Sequence, residues 1–544
     1  MNFQKNNPVR LFYGALFLTF LIVGFNACSK ETVLGPPTSL TEMASGISIA
    51  HADTSLVLSW SPGLAAWEGK DRPVVTLSYE VQVSTDETFR DESQIALDFV
   101  VDSTSLFLND EQLTPLQQYY ARVRTAPSTG TGHSAWTAAS SFQLRPIDMF
   151  RPIKVWNLTD EAAILGWGRH GEMATLVVET ADGNEKQEFD IKNATLVSKL
   201  VEGLLPGKSY VAKLLRQDNR SLGVLAFTTK PDVTGAGYVD LRASSDPSIL
   251  QTTLNTVSAG SKIVLKRGMT YAISTAFQLN RDVTIMSEPG FGAQAQIQMS
   301  PSFGIEEGAQ ITLLKFDDVE IRGTLSSSYV LNLSPASSIQ KVEFEACRIS
   351  DHVGVMRLQG AGVKSVQDYV INNSIIQNIG AQGVLQVDNV NAVVNNVHLT
   401  NSTFINTQWI VRYNSSVVNH LNAMTIESST FFQAPYDNRY ILDMARTGST
   451  IGSFTANNTL FGYTGGARSF NSRTPASISV TNSFATADAT WGTSNTQALI
   501  AGIVRYPFPS EQVFAMPDKT NFANSDLTII DEALFTVGDP KWRP

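Results

Sequence analysis

The chain has only two cysteines in 544 residues, Cys28 and Cys347. That count leaves no room for a disulfide framework or a thiolate metal cluster. Histidine is scarce as well, at six, and no His/Cys cluster, phosphate loop or serine-nucleophile elbow is present. Charged residues reach only 17% against 43% hydrophobic, a balance that fits a folded chain and not a disordered one. Long helix-forming stretches are few, while serine, threonine, asparagine and valine abound, which favours strands. The length implies three or so domains. Positive charge is in deficit. The net charge is −10, and loss of Lys5 and Arg10 with a leader would take it to −12. Such a chain is not built to attract nucleic acid, and an acidic ligand would have to meet a local basic patch.

One apolar run stands out, Leu11 to Phe25, preceded by Lys5 and Arg10 and followed by Asn26-Ala27-Cys28. Its 15 residues are short for a membrane span, which needs about 20. The pattern resembles a bacterial lipoprotein signal over residues 1–28, with Cys28 as the acylated residue. It departs from the usual lipobox at Phe25 and Asn26. Ser29-Lys30-Glu31 resembles the export tags of surface lipoproteins. Cys347, left without a partner, is expected to be a buried structural thiol.

Two segments alternate like β-sandwiches. Leu56, Leu58 and Trp60 fall on one face, as do Leu77, Tyr79, Val81 and Val83. Leu113-x-Pro115-x-x-x-Tyr119-x-x-x-Val123 and Leu204-x-Pro206-x-x-x-Tyr210-x-x-x-Leu214 share their offsets, with Trp60 and Trp167 in matching places. Both resemble the fibronectin-III tyrosine corner. They imply fibronectin-III-like modules at 29–145 and 146–231, serving as spacers. A linker is expected from Asp232 to Gly237 before a third domain, 238–544.

That domain repeats. Ala346-Cys347, Asn373-Ser374, Asn401-Ser402, Ser428-Ser429, Asn457-Asn458 and Asn482-Ser483 begin successive copies 27, 28, 27, 29 and 25 residues apart. A near-constant period with period-2 strands inside it means a β-solenoid. Phe404, Phe431, Leu460 and Phe484 are expected to stack inside it. The opening turn, Ser261 to Tyr271, resembles pectate-lyase-like helices, and the terminal Gly538-Asp-Pro-Lys-Trp-Arg-Pro544 resembles the Gly-Asp-Pro-Arg-Trp ending of a family of glycan-locus surface lipoproteins. The resemblance implies an all-β chain, two sandwiches followed by a right-handed, pectin-lyase-like parallel β-helix.

A second strand in each copy aligns Val355–Gln359, Val384–Asp388, Ile410–Asn414, Ile441–Ala445 and Ser469–Arg473. Met356, Leu385, Val411, Leu442 and Phe470 then point in. Arg357, Gln386, Arg412, Asp443 and Asn471 stack outside, beside Gln359, Asp388, Asn414 and Arg473. The first outward slot is read as apolar (Val355, Val384, Ile410, Ile441). Five coils span roughly 19 Å, and amide and guanidinium groups bond sugar hydroxyls and carboxylates bidentately. Trp409, Tyr436 and Tyr440 (with Trp491 after the last repeat) offer rings for stacking on sugars.

These features imply an outer-membrane, cell-surface lipoprotein that captures an acidic polysaccharide, pectin-, alginate- or glycosaminoglycan-like, for the uptake machinery. The alternative is a polysaccharide lyase acting by β-elimination, with Arg412 where the resembling lyases carry their arginine. Gln386 stands where those enzymes place a general-base lysine, and no ladder strand contains a lysine. Arg357 or Arg473 as base, or an approach by His352 or His398, would be its remaining routes. A structural or adhesive surface protein is the third reading. No cofactor is expected, calcium shared by Asp388 and Asp443 aside.

Overall fold

The computed structural model describes residues 46–52, 55–63, 77–115, 117–127, 133–145, 148–169, 173–192, 195–325 and 328–544. Cys28 and its leader lie outside them. The fold is all-β, with only two short α-helices among the described residues, Ile249–Leu254 and Ser510–Val513. It divides into two compact units, Met1–Asp148 and Met149–Pro544. The second sandwich therefore belongs to one body with the solenoid, and Asp232–Gly237 is a short connection inside it, with Val233 buried.

In the first unit, Ser48–Ala52, Ser55–Ser59 and Ser105–Asn109 form one antiparallel sheet. Ile95–Val101, Leu77–Ser84, Gln118–Pro127 and Ser140–Gln143 form the other. Alternation places Leu56, Leu58, Trp60, Tyr79, Val81 and Val83 in the core between them. The Tyr119 hydroxyl accepts from the Thr114 backbone N–H at 3.1 Å. In the second sandwich Tyr210 accepts from Leu205 at 2.8 Å, the same five-residue reach. Each ring also stacks on a phenylalanine of the neighbouring strand, Phe142 and Phe227. Both corners are fibronectin-III-like in construction.

The solenoid winds through parallel sheets of ten and seventeen strands. Leu250 and Leu254 of the first helix are buried in the core at its N-terminal coils. Each coil must turn sharply without breaking the stack, so a left-handed backbone recurs at Ala346, Asn373, Asn401, Ser428, Asn458 and Asn482. The hydroxyl of the next residue is the inter-coil tie. Ser374, Ser402 and Ser429 accept from the backbone N–H groups of Cys347, Ser374 and Ser402 at 2.9, 3.0 and 3.3 Å. A second left-handed line, Asp351, Asn378, Asn406 and Gln433, marks another corner.

Inside, Phe404, Phe431 and Phe461 stack with centroids 4.8 Å apart, the strand spacing itself. Here the expected register fails by one residue. The copy near 457 turns at Asn458, so Phe461 goes in and Leu460 goes out; likewise Ala485 enters the core and Phe484 does not. Leu460 is nonetheless buried and Phe484 half-buried. With Ile375, Ile405 and Phe432 they meet Val513, Phe514, Leu527, Ile529, Leu534 and Val537 of the C-terminal segment. Cys347 is a buried free thiol, its pKa pushed up by that burial.

The terminal Gly-Asp-Pro-Lys-Trp segment thus lies along the flank of the solenoid as a clasp. Gly538 donates to the Asn458 carbonyl at 2.7 Å. Asp539 takes the Thr403 hydroxyl at 2.5 Å and gives its N–H to the Thr430 hydroxyl at 2.8 Å. The Trp542 indole donates to Thr403 at 2.7 Å. Burial pushes the Asp539 carboxyl up from 3.8 to about 6, against the opposing pull of Thr403, Lys541 and Arg543. A carboxyl with a raised folded pKa contributes stability below 3.8 and loses it as pH rises through about 6. Hydrogen exchange in the C-terminal segment should therefore show weaker protection at about pH 7.5 than at about pH 5 after correction for intrinsic rates. Asp539→Asn, a mimic of the protonated form, should flatten that difference. An undiminished pH dependence in the variant would show that Asp539 does not control the clasp.

Candidate functional site

Parallel pairing converts spacing along the chain into adjacency on one face. Arg357 sits over Gln386, Gln386 over Arg412, and Arg412 over Asp443. The Asn471 amide continues the line by donating to Asp443 at 2.6 Å. Upstream, Asn332 pairs with Arg357, and Gly304 and Gln278 precede it. Behind this line Met356, Leu385, Val411, Leu442 and Phe470 are buried in the core.

The slot assigned to outward apolar residues is different. Val355, Val384, Ile410 and Ile441 are 0% exposed and belong to the core. The chain turns a corner just before them, with Gly383 at φ +76° and a register shift between His352 and Gly354. At such a corner strict alternation fails, and two successive side chains point inward. The outer neighbour of the polar line is one residue earlier: Tyr329, Gly354, Gly383, Trp409, Tyr440 and Arg468, paired coil to coil at Tyr329–Gly354, Gly354–Gly383 and Tyr440–Arg468.

The two lines support each other. Trp409 and Tyr440 are each only 7% exposed and stack at 5.8 Å. Arg412 and Arg439 both lie 5.0 Å from the Trp409 ring, and Arg468 lies 5.5 Å from Tyr440. Trp409 and Tyr440 are therefore struts beneath guanidinium groups, not open platforms for sugars. Tyr436 is half-buried, its phenol pushed up by burial. Trp491 meets the edge of Phe461.

The charges are not equally spent. Asp388 holds Arg357 at 2.7 Å and accepts from the Gln386 amide at 2.7 Å. Arg357 also lies over Tyr329 at 5.5 Å. Among the described residues Arg412 hydrogen-bonds neutral oxygens, the Ala381 carbonyl at 3.2 Å and the Gln382 amide at 3.0 Å. Arg468 donates to the Tyr440 hydroxyl at 3.1 Å, and Arg473 to Thr447 at 2.8 Å. Asp443 is buried, and desolvation raises its pKa despite Asn471, Arg412 and Arg439. Gln359 donates to Asn332 at 3.0 Å, and Asn414 to the Asp388 carbonyl at 3.3 Å. The result is a polar strip on which, among the described residues, Arg412, Arg468 and Arg473 hydrogen-bond neutral oxygens, with Asp443 the carboxylate beside Arg412.

Neither histidine considered as a base faces this strip. His352 is fully buried against Ser328, with its pKa lowered by burial to about 4. His398 lies on the ten-stranded sheet, 3.8 Å from Asp368. Among the described residues no three His, Cys, Asp or Glu side chains converge as metal ligands, and Asp388 is engaged by Arg357. Tyr329, Gln382, Arg439 and Arg468 were not anticipated. The coil carrying Tyr329 has Asp318-Val319 in place of an Asn-Ser start, so its Tyr-x-x-Asn strand was invisible to a repeat search.

A family model described as a domain of unknown function (DUF4957) matches residues 269–407. That span includes Arg357 and Gln386 and ends before Arg412. No curated protein matches the chain. Among solved structures, the FN1–FN3 domains of chicken CNTN1 are 12% identical, covering 36% of this chain and 69% of that one at a TM-score of 0.16. A two-domain fibronectin type III segment of chicken tenascin is 15% identical, covering 34% and 97% at 0.17. The sandwich assignment rests on the sheets and tyrosine corners above.

Gly383 is where the two lines are most exacting. Its positive φ disfavours any side chain, and a Cβ there would meet Trp409 Cβ at 2.6 Å. Gly383→Ala should destabilise the solenoid by about 1–3 kcal/mol and displace Trp409 from under Arg412. Denaturant unfolding and acrylamide quenching of tryptophan fluorescence provide the check. Unchanged stability and quenching would show that the corner tolerates a side chain.

Proposed function

We propose that the solenoid binds an acidic polysaccharide along the strip from Arg357 to Arg473, and that the protein works at the cell surface. The all-β architecture of sandwich modules and a β-helix is consistent with carbohydrate-related or adhesive roles. The finer reading rests on one observation. Arg412 is a guanidinium 5.0 Å over an indole, hydrogen-bonded among the described residues to neutral oxygens, on a ladder with Gln386 before it and Asp443 after it. Its geometry suits bidentate bonding to a uronate carboxylate. The strip is shallow and long, a shape that suits a polymer better than an enclosed small molecule. In this reading Cys28 carries the lipid anchor, the sandwiches carry the solenoid, and outer-membrane uptake machinery receives the captured glycan.

Affinity electrophoresis of the full chain through gels containing polygalacturonate, alginate or a glycosaminoglycan tests it. At least one should retard the protein. Arg412→Ala should weaken that retardation about tenfold, as expected for loss of one charge-assisted hydrogen-bonding group. Free migration in all three gels, or equal retardation of the variant, would defeat the proposal.

A further inference from the structure

A second cationic feature lies away from the ladder, where the second sandwich meets the solenoid. A cavity of about 310 Å³ is lined there by Trp156 and Lys230 from the sandwich side, and by Arg267, Asp318, Arg348 and Lys541. Another of about 380 Å³ shares Trp156 and Lys541 with it and adds Arg151, Lys154 and Arg543. Some of this charge is structural. Arg267 is committed to Asp318 and to the Glu288 and Gly292 carbonyls, and Lys230 shares Asp318 at 3.5 Å. Lys154 donates to the Lys541 and Arg543 carbonyls at 3.0 and 2.9 Å. The rest is not. Lys541 lies 4.2 Å over the Trp156 ring, and among the described residues no carboxylate reaches it within 4.0 Å. Among the described residues Arg348 hydrogen-bonds the Gln377 amide oxygen alone, at 3.3 Å. Glu320, its in-register neighbour one coil earlier, is bonded by Gln296. In a chain of net charge −10, the larger-than-water space between these groups has an excess of positive charge over its single lining carboxylate.

We infer that this junction cleft is a second binding site, for an oxyanion group, sulfate ester or carboxylate, carried on a sugar. Arg348 and Lys541 supply the charge-assisted donors, and Trp156 forms an apolar wall. The volume is at the lower end of small-ligand sites, about 300–1,000 Å³, so one substituted sugar residue enters and the rest of a chain stays outside. The site stands independently of the ladder, on different strands of the coil.

Isothermal titration of the full chain with a heparin-derived hexasaccharide and with trigalacturonate tests this, with sodium sulfate as the free-anion arm. Arg348→Ala and Lys541→Met should each weaken binding of one oligosaccharide about tenfold, read from the tryptophan fluorescence change that Trp156→Phe removes. An equal response to sodium sulfate at the same concentration would overturn the sugar-borne assignment. No binding of either oligosaccharide, or unaltered affinity in both cleft variants, would overturn the site itself. Loss in Arg412→Ala alone would place all binding on the ladder.

Discussion

Parallel strands wound one above another at the backbone hydrogen-bonding distance impose the governing constraint on this protein. Once a coil is closed, the next must repeat its corners, because a missed turn would leave buried N–H and C=O groups unpaired on both sides. Asn373, Asn401, Asn458 and Asn482 therefore occupy left-handed positions that few other side chains adopt cheaply, and Ser374, Ser402, Thr459 and Ser483 follow them. The same register acts outside. It is what brings Arg357, Gln386, Arg412 and Asp443 together, although some 30 residues separate each from the next.

On that face the arginines compete with their own surroundings. Arg357 has largely been neutralised by Asp388, and a ligand would have to displace or share that carboxylate. Arg412 hydrogen-bonds carbonyl and amide oxygens and meets Asp443 only through space, so its donors are less engaged than those of Arg357. The net charge of the chain opposes an acidic ligand at long range, but screening confines that opposition to about 8 Å at physiological ionic strength. Binding would thus be decided by contact geometry at Arg412, Arg468 and Arg473 and gain little from steering.

Much of this was legible in the sequence because period and offset survive substitution. The two tyrosine corners declare themselves through four fixed positions each, and the coil period through paired Asn-Ser starts. What escaped detection was local. Asn457-Asn458 offers two candidates for one left-handed position, and only packing decides that Asn458 takes it, sending Phe461 inward instead of Leu460. The corner at Gly354 and Gly383 breaks the alternation on which the outward assignment of Val355 and Val384 depended. Trp409 and Tyr440 read as exposed sugar platforms because sequence shows that a ring adjoins a strand, not that its neighbours above and below cover it.

The C-terminal clasp resolves a difficulty that the solenoid creates for itself. An outward line of Ile375, Leu460 and Phe484 would be an apolar stripe on an otherwise polar cylinder, open to pairing with other chains. The last residues cover it, and the two threonines interrupting that line, Thr403 and Thr430, become the hydroxyl contacts of Asp539 and Trp542. Lys154 then bonds the clasp backbone from the sandwich side. One short segment thereby does two things: it closes the flank of the solenoid and fixes the second sandwich to it. That second consequence explains the single compact unit from Met149 to Pro544. A sandwich tethered only through Asp232–Gly237 would be free to rotate, whereas one held at both Lys154 and the Lys230–Asp318 ion pair has two separated attachments. The junction cleft lies between those attachments, so its shape depends on the clasp remaining closed.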